Sequence, residues 1–410
     1  MSDSNKVDTS RRSAAAFIFV TILLDMLALG LILPILPKLV ESFVDNDTAT
    51  AARIFGLFGT AWALMQFLFS PILGALSDRF GRRPVVLLSN FGLALDYVLM
   101  ALAPSLGWLF VGRLLSGVTA ASIPTAFAYI ADVTTPENRA KSFGLIGAAF
   151  GAGFIIGPAL GGMLATFGPR APFWCAAAFS IANGLYGIFV LPESLDAAHR
   201  APFSWKRANA FGALKLLRRH PELFGLASVY FLYHLAHQAL QSVFVLYTDY
   251  RYGWGPTQVG WALAAVGVCF AIVQGALVGR AVAAFGERRA LMLGLACGAT
   301  GFFIYGMAPV GWIFALGIPI MTFWGLFGPA AQGLMTRHVS RSEQGALQGA
   351  LTSVAGVTGI IGPELFSQTF AAAINPRRDL HYPGAPYVLA SLLLVAGIVI
   401  AARATSTEDT

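Results

Sequence analysis

Stretches of about 18 or more residues almost free of charge recur from one end of this chain to the other, each long enough to cross a hydrocarbon core of roughly 30 Å as a helix. Lipid offers no hydrogen bonds to a backbone, so only helices or closed barrels span it. A barrel would show ten-residue alternation, which these runs lack. Composition agrees, with 57% apolar and 11% charged residues, where a soluble domain carries roughly 25% charged. Twelve spans are expected, at 14–39, 53–75, 84–103, 106–131, 142–166, 171–191, 221–248, 257–284, 290–308, 311–335, 344–372 and 385–402.

Charge sets the expected topology. With a cytoplasmic N-terminus, twenty of the 27 Lys and Arg residues fall in inner segments and six in outer ones, with Arg113 inside a span. That is the positive-inside pattern, and it places both termini on the cytoplasmic side of a cell inner (cytoplasmic) membrane. The net charge of +7 is thereby a topology signal, and no nucleic-acid partner is expected. Cys175, Cys269 and Cys297 are odd in number and all within spans, which supports neither a disulfide framework nor a metal site. The run after Arg11-Arg12 carries Asp25, Pro34 and Pro37 and reads as an uncleaved first span.

The chain also repeats itself. Phe80-Gly81 returns as Phe285-Gly286, Pro104 as Pro309, Pro124 as Pro329, Gly144 as Gly349 and Gly157-Pro158 as Gly362-Pro363, always 205 residues later. One constant shift is the mark of a duplicated six-helix half, the two halves related by an axis along the membrane normal. The expected division is an N-terminal bundle at 1–191, a polar cytoplasmic linker at 192–220 and a C-terminal bundle at 221–410.

Charges inside spans are costly and mark function by default. Counted at 1.5 Å per residue from the inner ends, Asp25 lies about 16 Å deep and Asp96 about 18 Å, and Arg113 comes to a similar depth. An Asp25–Arg113 ion pair that only sets packing is the structural alternative. Span seven carries His234, His237, Gln238 and Gln241 on one helical face, a polar stripe in an apolar segment. Histidine suits proton exchange, though a histidine bonded to a neighbouring helix is an equally good reading. Glu364, near the outer end of span eleven, is a weaker candidate. Trp62, Trp261, Phe323 and Trp324 are candidate linings for an apolar cavity.

The loop after the second span reads Gly74-Ala-Leu-Ser-Asp78-Arg79-Phe-Gly81-Arg82-Arg83-Pro84. Its glycines permit a tight turn, and Asp78 can accept from Arg82 or a helix N-terminus. Asp132 with Arg139 extends the cluster. This loop resembles the signature of the major facilitator superfamily. Gly112-Arg113-Leu-Leu-Ser-Gly117 resembles that family's buried-arginine motif, and Gly147-x3-Gly151-x-Gly153-x3-Gly157-Pro158-x2-Gly161-Gly162 its antiporter motif. Physically, small residues allow close helix packing and the Gly-Pro pair a bend.

Asp25-x4-Gly30-x3-Pro34-x2-Pro37, Ala94-Leu95-Asp96-Tyr97, Tyr129-Ile130-Ala131-Asp132, Leu191-Pro192-Glu193-Ser194 and Gly286-Glu287-Arg288-Arg289-Ala290-Leu291 narrow the resemblance to tetracycline/proton antiporters. It covers nearly the whole chain. It implies an all-α integral membrane fold of twelve helices in two six-helix bundles, a central cavity, and outward drug movement coupled to inward protons, with no cofactor beyond the proton. It further implies that Asp25, Asp96, Arg113 and Gln274 face the cavity, and the pair Asp96-Tyr97 is itself read as a substrate contact. Two positions depart: Phe270 stands where those antiporters have a histidine, and Gly298 where they have an aspartate.

The expectation is a monomeric secondary transporter exporting amphipathic, drug-like molecules, with tetracycline-like substrates among the candidates. A proton-linked transporter or symporter of a specific metabolite is the alternative. No G-x4-G-K-[ST], H-E-x-x-H or G-x-S-x-G motif occurs, so neither a primary pump nor a membrane enzyme is expected.

Overall fold

The computed structural model describes residues 19–120, 123–134, 139–203, 223–340, 343–375 and 381–405. Among them no strand occurs. The first helix, α1, runs over 19–32, opens into a turn at 33–35 and resumes as Leu36–Ser42. Pro34 and Pro37 explain the interruption, since neither has an N–H to give. There follow α2 (Thr48–Phe80), α3 (Arg82–Leu102), α4 (Leu106–Thr119), α5 (Ile123–Val133), α6 (Arg139–Leu164) and α7 (Ala171–Val190). Further on come α8 (Leu223–Tyr252), α9 (Pro256–Ile272), α10 (Val278–Met307), α11 (Gly311–Thr322), α12 (Phe327–Arg337), α13 (Gln344–Ala373) and α14 (Ala385–Ala404).

Nine helices among the described residues are long and apolar enough to cross a membrane. The difference from twelve lies in three places. The segment Pro256–Met307 is continuous over 52 residues, about 78 Å at 1.5 Å per residue and more than twice the membrane core. Gly286, at φ 78°, divides it. The expected fourth span is described as two shorter pieces, α4 and α5, on either side of residues 121–122, which lie outside the described residues. The helix α8 has 30 residues, but its polar face of His234, His237, Gln238 and Gln241 lowers its hydropathy.

The chain forms two compact units, Met1–Leu36 with Leu64–Ala210, and Pro37–Ala63 with Phe211–Thr410. The second therefore includes the hairpin between α1 and α2 besides the C-terminal helices.

In the first unit α3 packs on α7 and α4, and Tyr129, Val86, Ile22, Met26 and Leu191 share a buried apolar cluster. The seam between α1 and α6 is made of backbone. A Cβ on Gly157 would stand 2.7 Å from the Gly30 Cα, one on Gly153 2.4 Å from the Met26 Cβ, and one on Gly161 2.2 Å from the Leu31 carbonyl oxygen. Spaced by four, these glycines line one face of α6. Gly147 and Gly151 of the same motif meet nothing within 4 Å. The motif thus divides by helical phase, and the half that packs fixes the helix bearing Asp25. Gly157→Leu and Gly161→Leu are expected to abolish monodisperse, folded protein, overpacking costing about 1–3 kcal/mol or more. Gly151→Leu should leave melting within about 0.5 kcal/mol of the parent, and size-exclusion profiles with thermal melts make the comparison.

In the second unit α8 packs on α13 and α14 around buried rings. Tyr305 stacks on Phe314 at 4.1 Å, and the Tyr247 hydroxyl donates to the Tyr305 carbonyl at 2.8 Å. The hairpin docks through small residues: Gly56 and Gly59 lie against Ser367 and Pro363, and the Thr60 hydroxyl donates to the Ile360 carbonyl at 2.8 Å. Lys38 donates to Asp249 at 2.7 Å and also to Glu41.

Candidate functional site

Three groupings arise from the sequence candidates. The first surrounds Asp25, half-buried on α1. Its Oδ1 accepts from Asn183 Nδ2 on α7 at 3.0 Å, and the same amide donates to the Thr21 carbonyl at 3.2 Å. Asp25 has no cation partner among the described residues. Beside it lies a cavity of about 20 Å³ whose lining includes Thr21, Asp25 and Asn90, and a water needs about 10–15 Å³ and two to four polar partners. Thr21 Oγ1, Asn90 Nδ2 and Asn183 Oδ1 are buried there without hydrogen-bond partners. The site accordingly offers a carboxylate a single-water contact.

The structural alternative paired Arg113 with Asp25. The structure sets it instead within electrostatic reach of Asp96, one residue past Gly112 on α4, and both Asp96 carboxylate oxygens are buried without hydrogen-bond partners among the described residues. The reason is steric: a Cβ on Gly112 would stand 2.8 Å from Asp96 Oδ1, so the missing side chain lets α3 close on α4. Asp96 and Tyr97 are both buried, enclosed by their own unit.

The second grouping is the loop between α2 and α3. Gly81 adopts φ 107°, and a Cβ there would lie 2.2 Å from Glu193 Oε2. Glycine is needed on both counts. Glu193 accepts from the Arg82 backbone N–H at 2.8 Å and the Arg83 N–H at 3.3 Å, capping α3 with a carboxylate where the helix dipole favours one. Arg82 is the hub, with its side chain 11% exposed. It donates to Ser77 Oγ at 2.7 Å, to Asp78, and through Nε to Asp132 Oδ2 at 3.2 Å. Ser194 Oγ also reaches Asp132, at 3.2 Å, Arg83 donates to the Ile188 carbonyl at 2.7 Å, and Arg79 lies 5.0 Å over the Phe80 ring. Gly74 supplies the carbonyl that Ser77 Oγ donates to. The Arg139 side chain lies outside the described residues.

The repeat of this loop carries the same ion pair with its signs exchanged. Glu287 and Arg337 stand 205 residues after Arg82 and Asp132, and Arg337 Nη2 meets Glu287 Oε2 at 2.7 Å. Gly286 keeps the positive φ of Gly81. Ala283 replaces Asp78, which spares the acidic position 287 a like charge four residues away.

The third grouping is aromatic. Tyr233 on α8 stacks on Phe327 at 4.1 Å and lies 4.5 Å from Trp324. His237 is 5.3 Å from Trp324 and His234 is 4.4 Å from Tyr230. Gln238 lies against Gly362, Gln241 is exposed, and Gln274 donates to the Gly325 carbonyl at 3.2 Å. Gln274 sits in a π-helical turn, Val273–Leu277, an irregularity frequent at functional sites. The two departures from the family pattern meet here. A Cβ on Gly298 would stand 2.8 Å from Trp324 Cδ1, and one on Gly325 3.2 Å from Phe270. Trp324 fills the space an aspartate at 298 would need, and its Nε1 is buried without a hydrogen-bond partner.

Glu193, Asn183 and Asn90 acquire roles that sequence reasoning did not give them. Asn90 and Asn183 carried a signal, being amides within apolar spans, whereas nothing in the sequence tied Glu193 to Gly81.

Comparison with known proteins agrees with this architecture. The family model described as Major Facilitator Superfamily matches residues 18–363 and 226–409. The tetracycline resistance protein, class C, of Escherichia coli is 38% identical over 364 residues, 88% of this chain and 91% of that protein. The multidrug resistance protein 2 of Bacillus subtilis (strain 168) is 29% identical, covering 92% of this chain and 91% of its own length. Among solved structures, the human organic anion transporter MFSD10 (TETRAN) superposes with a TM-score of 0.71 at 26% identity, over 95% of this chain and 99% of that one. The chain is an integral membrane transporter, not an enzyme, and belongs to the Major Facilitator Superfamily beside the tetracycline resistance proteins.

Proposed function

We propose that this chain is a proton-coupled exporter of amphipathic, drug-like molecules, a monomer in the cytoplasmic membrane with both termini inside. The observation that carries the reading is Asp25: a carboxylate on a membrane helix, held by the neutral Asn183 amide and next to a water-sized cavity that Thr21 and Asn90 line together with apolar side chains. A carboxylate permanently paired with a cation is a structural element, whereas one met by a neutral amide and water can take up and release a proton. Asp96, beside Arg113, is the structural carboxylate of the two.

The substrate class is supported by the relatives and by the ring cluster of the second unit. Tyr233, His237 and Trp324 offer stacking faces, with Gln241 and the two histidines as polar contacts. Such a surface suits flat, partly apolar molecules. Because Trp324 fills the space beside Gly298, tetracycline is one candidate among several. In inverted vesicles containing the protein, respiration should drive uptake of a fluorescent amphiphile, and nigericin should abolish it. Uptake that survives nigericin, or that occurs only in right-side-out vesicles, would reject the reading.

Two expectations belong here. His237→Ala should lower coupled flux about tenfold while changing substrate affinity less than threefold, as general acid–base groups contribute through proton transfer. His234→Ala is the comparison, and parental transport by both variants removes the histidines from the mechanism. In a protein freed of its three cysteines, labels at Asn46→Cys and Val310→Cys should react from outside the cell. Phe80→Cys and Phe285→Cys should react only after permeabilisation, and the reverse pattern would overturn the topology.

A further inference from the structure

Where α8 ends, its chain turns sharply: Gly253 at φ 67° lets its N–H reach the Asp249 carbonyl at 2.7 Å, the αL form of helix close, and the Trp254 N–H reaches the Thr248 carbonyl at 3.3 Å. Beyond it opens a groove of about 520 Å³, lined by Arg251, Tyr252, Trp254, Val310, Gly311 and Trp312 among others. Its wall is built and held. Trp254 lies 5.6 Å from the Tyr252 ring and packs edge-on to Phe314 at 5.8 Å. The Tyr252 hydroxyl donates to the Ala308 carbonyl at 2.9 Å. A Cβ on Gly311 would stand 2.8 Å from the Trp254 indole, so glycine there admits the ring.

Among the described residues no carboxylate neutralises the charge in this groove. Asp249, two residues before Arg251, is taken by Lys38 at 2.7 Å, and Arg251 forms no ion pair among the described residues. A last-turn arginine complements the helix dipole, but that accounts for neither the groove nor the tryptophans. From the groove an apolar track runs along α11, where Trp312, Leu316 and Ile320, each four residues apart, are 66%, 62% and 38% exposed. A guanidinium with no acidic partner among the described residues, two indoles and an apolar track beginning at the end of a membrane helix are three features that one kind of molecule satisfies together.

We propose that this groove is a binding site for an anionic phospholipid. Its phosphodiester pairs with Arg251, the glycerol region lies among Trp254, Tyr252 and Trp312, and one acyl chain follows Trp312, Leu316 and Ile320. Guanidinium groups match phosphate oxygens bidentately, and amphipathic aromatics favour the headgroup level. The site is independent of the transport reading, since it needs neither Asp25 nor the ring cluster at Trp324.

Lipid-stripped protein, checked for monodispersity, would be titrated with dioleoyl phosphatidylglycerol and dioleoyl phosphatidylcholine and read by native mass spectrometry. The parent should prefer the anionic lipid by about tenfold. Arg251→Gln should reduce that preference to within about twofold, Arg251→Lys should keep most of it, and Trp312→Ala should weaken both lipids. Arg53→Gln, altering an exposed arginine outside the groove, should keep the parental preference. Equal binding of the two lipids by the parent, or an unchanged preference in Arg251→Gln, would overturn the proposal. So would displacement of phosphatidylglycerol by equimolar inorganic phosphate, which would make the site one for free anions.

Discussion

Asp25→Asn should abolish accumulation against a gradient, by about 100-fold or more, while substrate still exchanges across the membrane down its own gradient. The asparagine keeps the shape and the Asn183 contact but removes the only group at that point able to carry a proton, and a loss of two orders of magnitude is usual for an acid–base group. Asp96→Asn should act differently. It leaves the half-buried guanidinium of Arg113 with its acidic neighbour gone, and a charged group left uncompensated away from water costs about 1–3 kcal/mol or more. The expected result is a large fall in melting temperature and yield, with Asp96→Asn/Arg113→Met recovering much of it because both charges leave together. Flux with and without a pH gradient, measured beside melting curves, separates the cases. Uphill transport by Asp25→Asn at the parental rate would remove Asp25 from coupling.

The second large effect concerns Arg82. Its guanidinium joins Ser77 and Asp78 at the end of α2 to Asp132 at the end of α5, and every described partner lies in the first unit. Arg82→Ala leaves two carboxylates near each other without their cation and unties that end of the unit. If each half moves as a body during transport, turnover should fall about 100-fold with ligand affinity changed by less than about threefold.

The repeat supplies a sharper test. Glu287 and Arg337 make the same pair with the charges exchanged, and Ala283 stands in for Asp78. Arg82→Glu alone should be inactive, and Asp78→Ala/Arg82→Glu/Asp132→Arg, which copies the second unit, should regain a substantial part of the parental turnover. Inactivity of the folded triple variant would mean that the sign of the pair matters, and not only its presence.

Local patterns were legible where the physics is local. Charge-free runs announce membrane helices because burial in lipid depends on composition over some twenty residues. The paired glycines 81 and 286 announce themselves because both take positive φ in a tight turn. What escaped was set by distant contacts. Glu193 caps α3 from 111 residues away, and Arg113 sits with Asp96 because Gly112 lets two helices close, which depth counting could not distinguish from a pairing with Asp25. The antiporter motif read as one unit, yet helical phase sends Gly153, Gly157 and Gly161 into the α1 seam and leaves Gly147 and Gly151 open. The missing aspartate at Gly298 is explained only by Trp324, 26 residues further on, which occupies its volume.

Coupling between substrate and proton is the central claim, and purified protein in proteoliposomes tests it most directly. With an imposed pH gradient and no membrane potential, tetracycline, an unrelated amphiphilic dye and a panel of metabolites would be followed together with internal pH. The account predicts that an amphiphile moves uphill, opposite to a measurable proton flow, and that Asp25→Asn abolishes both. Substrate movement in the same direction as the protons, or uphill transport with no proton flow at all, would contradict it.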